Sequence, residues 1–84
     1  MEIRVFGNLA TDGLEVVERM GKYFVRYDAG AHQVAWREDE VSAAELDRIR
    51  AGRGGEYAVI LDVKRRARMI GNDPNTQNWT PETE

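Results

Sequence analysis

"EYAVILDVKRRARMIG", residues 56–71, decides the fold of this 84-residue chain. Read as a strand, it alternates Tyr57, Val59, Leu61 and Val63 on one face. Read as a helix, it gathers Val59, Ile60, Val63, Ala67 and Ile70 within a stripe about 100° wide. Lys64, Arg65 and Arg68 then lie across from that stripe, and Gly71 stands where a C′ glycine ends a helix. At about 15 residues the segment exceeds ordinary strand length, so helix is the expectation and a fifth strand the alternative.

The segment before it is helical on independent grounds. In "EVSAAELDRIRAG" (Glu40–Gly52), Ser42 is an N-cap and Glu45 stands at the capping-box spacing. Val41 and Leu46 form the hydrophobic staple around that cap, Leu46 and Ile49 supply an apolar edge, and Gly52 suits the stop.

Further upstream the period changes to two. Ile3 and Val5 mark one face of a first strand, with Arg4 and Phe6 on the other. "LEVVERM" (14–20), "YFVRYD" (23–28) and "HQVAWR" (32–37) are rich in β-branched and aromatic residues, with glycine-bearing breaks between them. With Gly21-Lys22 and Ala29-Gly30 as two-residue turns, Val16 faces Tyr27, Val25 faces Val34, and Tyr23 faces Trp36. Both hairpins then agree on one apolar face, which a one-residue slip would scatter. Downstream, "NDPNTQNWTPETE" (72–84) carries both prolines and, beyond Trp79, little apolar content. It reads as an irregular tail, with Trp79 either pinning it to the domain or offered to a partner.

The expected fold is therefore α+β, a four-stranded antiparallel meander with two helices on one face (ββββαα). Residues 1–71 form the compact domain and 72–84 the tail. A chain of this size buries only about 60–65% of its unfolded surface, so a closed catalytic cleft is hard to build. The absence of cysteine excludes disulfides, thiolate metal sites and thiol nucleophiles. "MEIRVFGN" opens directly in a strand pattern with no leader-like or membrane-length apolar run, so the expected location is cytoplasmic.

Charge is unevenly spread. Residues 53–70 hold Arg53, Lys64, Arg65, Arg66 and Arg68 against Glu56 and Asp62, a net +3 that leaves −6 for the rest of a chain totalling −3. Such a patch can bind phosphate by releasing counterions, and Arg53, Lys64, Arg65 and Arg68 are the candidate contacts. Cations in the last helical turns also answer the macrodipole, and a nucleic-acid-binding domain usually has an overall basic excess that this chain lacks. Arg66 projects away from the other three.

The opposite patch is "REDE", Arg37, Glu38, Asp39 and Glu40, read as acids ahead of the helix start that could also dock a basic partner. The outer sheet face is expected to carry Phe6, Phe24 and Val17 among Arg4, Arg19, Arg26 and Arg37, a composition enriched at protein interfaces. His32, the only histidine, stands near Tyr27 and the acids Asp28 and Glu18 and could act as a base, but with no nucleophile or catalytic partner assembled around it, it reads as strand-end packing. "GRGG" (52–55) reads as an inter-helix turn, lacking the lysine and hydroxyl residue of a phosphate loop.

No metal, cofactor or catalytic constellation is expected. The leading expectation is a small acidic module that acts by occupying another protein, such as an inhibitor, an immunity or antitoxin-like protein, or a phage anti-defence protein. Its partner would be basic or nucleic-acid-processing, and its contacts Phe6, Arg19, Phe24, Arg26, Arg37, Glu38, Asp39 and Glu40. Homodimerisation through the outer sheet face is a further possibility. The alternative is a nucleic-acid-binding accessory protein using the basic helix or the outer sheet face.

Overall fold

The computed structural model describes residues 1–30 and 32–81. Strands β1 (Glu2–Asn8), β2 (Leu14–Arg19), β3 (Lys22–Asp28) and β4 (Trp36–Val41) form one antiparallel sheet in that order. Helices α2 (Ala43–Ala51) and α3 (Gly55–Met69) follow, and a single turn of helix, α1 (Leu9–Asp12), bridges β1 and β2. This is the expected ββββαα order, with α1 formed where only a break was foreseen. Asn8 caps that turn by accepting from the Ala10 amide, and Gly13 closes it.

The sheet's inner face and the two helices share the core. Leu14, Val16, Val25, Tyr27 and Val41 pack with Leu46 and Ile49 of α2 and Val59 and Val63 of α3. Val16, Val25, Ile49 and Val59 are completely enclosed, and burial of each is worth about 2 kcal/mol over leaving it in water. The cap of α2 is the capping box read from sequence: the Glu45 amide donates to Ser42 Oγ and the Ser42 amide to Glu45 Oε1. Helix α3 settles the opening question, burying Val59, Val63 and Ala67. Ile70, expected on that stripe, lies at the helix end and is exposed. Gly71 adopts the left-handed conformation, and the amides of Gly71 and Asn72 donate to the Arg68 and Ala67 carbonyls. This paired closure turns the chain back towards β4.

Three register differences decide what reaches each surface. The β2–β3 turn falls at Met20-Gly21, both at positive φ, rather than at Gly21-Lys22. Val16 consequently faces Val25, and Leu14 faces Tyr27. Moving the turn by one residue slips the pairing by two, which preserves every face.

The β3–β4 connection is longer than two residues, and its consequence is larger. Asp28 Oδ1 accepts from the Gly30 and Ala35 amides, and the Ala29 amide donates to the Ala35 carbonyl. Gly30 is needed there because a Cβ would stand 1.7 Å from the Gln33 carbonyl oxygen. Strand β4 therefore begins at Trp36 and runs through "REDEV" instead of covering 32–37. Its parity is inverted: Trp36 pairs with Asp28 on the outer face, and Arg37 pairs with Tyr27 on the helix-facing side.

In β1 a bulge at Val5 does the same to the C-terminal half of the strand, since an extra residue reverses the alternation beyond it. Arg4 pairs with Val17 on the outer face, whereas Phe6 pairs with Val16 and packs against the core. Phe6 is thus not the outer-face residue that alternation predicted.

Candidate functional site

Three surfaces were candidates, and their fates diverge. On the outer sheet face the register puts opposite charges directly across strands: Glu2 by Arg19, Glu15 by Arg26, and Arg26 by Glu38. Arg26 is only 8% exposed and uses its whole guanidinium. Nε donates to Glu38 Oε2 at 2.8 Å, Nη1 to Glu15 Oε2 at 3.0 Å, and Nη2 to Glu2 Oε1 at 2.7 Å. Arg19 joins the same carboxylates, donating to Glu38 at 2.7 Å and Glu2 at 3.0 Å, while its guanidinium lies 4.2 Å from the centre of the Phe24 ring. Burial opposes the charged form of Glu38, but the hydrogen bonds from Arg19 and Arg26 outweigh it and hold the carboxyl below its usual range.

The tail closes this surface. Trp79 stacks on the Arg26 guanidinium at 4.4 Å, so it pins the tail to the domain. The Asn78 amide donates to the Trp36 carbonyl, and the Asn78 side chain bonds both the amide and the carbonyl of Glu38. Arg37 fastens the tail from the other face. It is 4% exposed, pairs with Asp39 at 2.9 Å, and donates from Nη1 to the Asp73 and Thr76 carbonyls. Tyr27 donates to the same Asp39 at 2.7 Å; burial first, and then that carboxylate, push the phenol well above its ordinary range.

The partner contacts proposed from sequence are therefore dispersed. Phe6 faces the core, Arg37 is buried, and Phe24 is half covered by Arg19. Arg19, Arg26 and Glu38 are engaged with one another. The acids of "REDE" do not form one patch ahead of a helix: they lie in β4, where alternation sends Asp39 inward and leaves Glu38 and Glu40 outside. Glu40 alone of the set is exposed.

The basic helix behaves otherwise. Lys64, Arg65 and Arg68 project from α3 opposite its buried stripe, and exposed Arg53 sits at positive φ in the turn before the helix. Arg65 and Arg48 share Asp62 at 3.4 and 3.2 Å, and Lys64 reaches Asn75 only at 3.5 Å. Surface pairs of this kind hold side chains weakly. Arg66 points away, as its helical position predicts, and binds Glu45 at 2.7 Å and the Glu40 carbonyl.

The sequence reading missed two members of this surface. Tyr57 is 71% and Leu61 42% exposed. At about 100° per residue they fall on the same stripe as Lys64, Arg65 and Arg68. The spacing Tyr57, Leu61, Arg65, Arg68 was available in the sequence as a second periodic set. It was overlooked because tyrosine and leucine count towards a core by default.

No family model, curated protein or solved structure matches this chain. Among the described residues no three histidine or acidic side chains gather to hold a metal ion. Nor is any described helix long and apolar enough to cross a membrane. His32 is exposed and lines a shallow hollow with Asp28 and Lys64. A groove of about 560 Å³ runs between α1 and the tail, walled by Trp36, Trp79 and Arg26.

Proposed function

We propose that this chain is a small non-catalytic binding module of the cytoplasm that acts by occupying a partner protein, with the exposed face of α3 as its docking surface. The observation that carries this reading is the stripe Tyr57, Leu61, Lys64, Arg65 and Arg68, which combines an aromatic, an aliphatic and three cations on one rigid element. Aromatic and arginine side chains dominate the energetic centres of protein interfaces. A partner with carboxylates around an apolar recess matches both parts of the stripe. An inhibitor, an immunity or antitoxin-like protein, and an anti-defence protein all work by such occupancy.

Charge segregation supports the orientation. Residues 42–71, which hold both long helices, have seven Lys and Arg against four Asp and Glu, a net +3, and the remainder of the chain is −6. An acidic surface would meet the helices first, because complementary potentials steer encounter.

The same three cations favour a second reading, in which the helix lies along a nucleic-acid backbone. The two readings separate in a pull-down from the source cell's lysate at low and physiological salt, with and without nuclease. A protein that survives nuclease and is lost from both Lys64→Ala/Arg65→Ala/Arg68→Ala and Tyr57→Ala/Leu61→Ala supports the first. Retained nucleic acid that disappears with salt, and that needs the cations but not Leu61, supports the second. Retention unchanged by both variants rejects the α3 surface altogether.

A further inference from the structure

Residues 77 and 78 of the tail bond along the outer edge of β4. Strand β4 is the last of the sheet, and the groups of Trp36, Glu38 and Glu40 that face away from β3 need partners. The tail supplies them in an irregular way. Among the described residues one bond is backbone to backbone, from the Asn78 amide to the Trp36 carbonyl at 3.1 Å. The Trp36 amide is met by the Gln77 side chain at 3.3 Å, and both groups of Glu38 by the Asn78 side-chain amide. The Glu40 carbonyl is met from elsewhere, by Arg66. Two side-chain amides thus imitate a strand that the tail does not form.

We infer that the β4 edge, with the Arg26 guanidinium beside it, is an acceptor for an extended segment of a partner protein, and that the tail occupies it in cis until displaced. A regular strand would make with its backbone the bonds that Gln77 and Asn78 make with side chains, the mode by which peptides add to sheet edges. The favoured segment carries an aromatic residue placed to stack on Arg26, as Trp79 does at 4.4 Å. Arg37 and buried Pro74 anchor the tail up to Thr76, and the part beyond is suited to leave. Pro74 is its buried residue, whereas residues 75–78 and 80 are exposed and Trp79 and Pro81 are only partly covered. A segment with so little buried surface opens locally well before the domain unfolds.

The test uses the full chain and a labelled synthetic peptide of residues 72–81. The variant Asn78→Ala/Trp79→Ala vacates the seat, and it should bind the peptide at least tenfold more tightly than the wild type does. A peptide with alanine in place of its tryptophan should bind at least tenfold less well. In the wild-type protein, the amide protons of Asn78 and Glu38 should exchange at least a hundredfold faster than the slowest amides of β2 and β3. A folded variant that ignores the peptide overturns the inference. So does exchange of Asn78 and Glu38 at the rate of the central strands, a measurement that remains available if the variant does not fold. Light scattering that shows wild-type dimers at assay concentration, abolished in Asn78→Ala/Trp79→Ala, would assign the seat to a second copy's tail and overturn the partner assignment.

Discussion

The outer face of the sheet and the outer face of α3 are built from the same kinds of residue, arginines beside aromatic and aliphatic side chains. On the sheet, antiparallel pairing places a carboxylate opposite each central arginine, so Arg19 and Arg26 are consumed by Glu2, Glu15 and Glu38. On α3 the nearest acid along the helix is Asp62, which already serves Arg48. Identical chemistry becomes structural where the register supplies counter-charges, and available for binding where it does not. Composition alone cannot distinguish the two, because the difference lies in which residue faces which.

Mutation should expose the contrast. The largest effect is expected at Arg26. Arg26→Ala leaves three carboxylates together without their shared cation and should cost about 3 kcal/mol. For a domain of this size that lowers the thermal midpoint by roughly 12 to 24 °C. A loss below about 1 kcal/mol in urea titration would mean that the network is only decorative.

Next comes Gly71→Ala, which forces a side chain into the left-handed turn that aims the tail at β4. It should cost about 1 kcal/mol, and the fluorescence of Trp79 should report a looser tail.

A smaller effect is set by pH. Glu38 and Glu45 are both held below the usual carboxylate range; burial opposes this, but guanidinium hydrogen bonds prevail. The folded protein therefore binds fewer protons than the unfolded chain as acid is added. Stability should be level above about pH 5, where unfolded glutamate is ionised, and fall as pH drops through the depressed folded values. Glu38→Gln should flatten that fall, and an unchanged acid limb in thermal melts would contradict it. The smallest effect is expected on α3, where Lys64→Ala, Arg65→Ala and Arg68→Ala should each change stability by less than about 0.5 kcal/mol. Larger losses there would erase the distinction between the two faces.

What could be read in the sequence follows the range of the interactions involved. The start of α2 was legible because Ser42, Glu45, Val41 and Leu46 act within one turn of one another. The β2–β3 hairpin kept its facing although its turn was misplaced, since a two-residue slip leaves alternation intact. Strand β4 was not legible. Asp28 stitches a longer connection with two amides, which made Ala29-Gly30 look like a turn and reversed Trp36 and Arg37. Burial of Arg37 could not be foreseen from its neighbours, as two of its acceptors are carbonyls 36 and 39 residues away. Phe6 was lost to a one-residue bulge that no local pattern marks. On the outer face of α3, Lys64, Arg65 and Arg68 were placed together and separated from Arg66, but Tyr57 and Leu61 were not seen to share that face.

The two margins of the sheet also differ. One is sealed along Trp36 and Glu38 by residues 77–79, and the other, β1, carries exposed Glu2, Ile3 and Arg4. A sheet with a single growing margin can join one neighbour and must then stop, whereas a sheet with two can be extended without limit. Gln77 and Asn78 thus cover the β4 margin, and a chain shortened before Gln77 would present unpaired edge groups on both sides of the sheet.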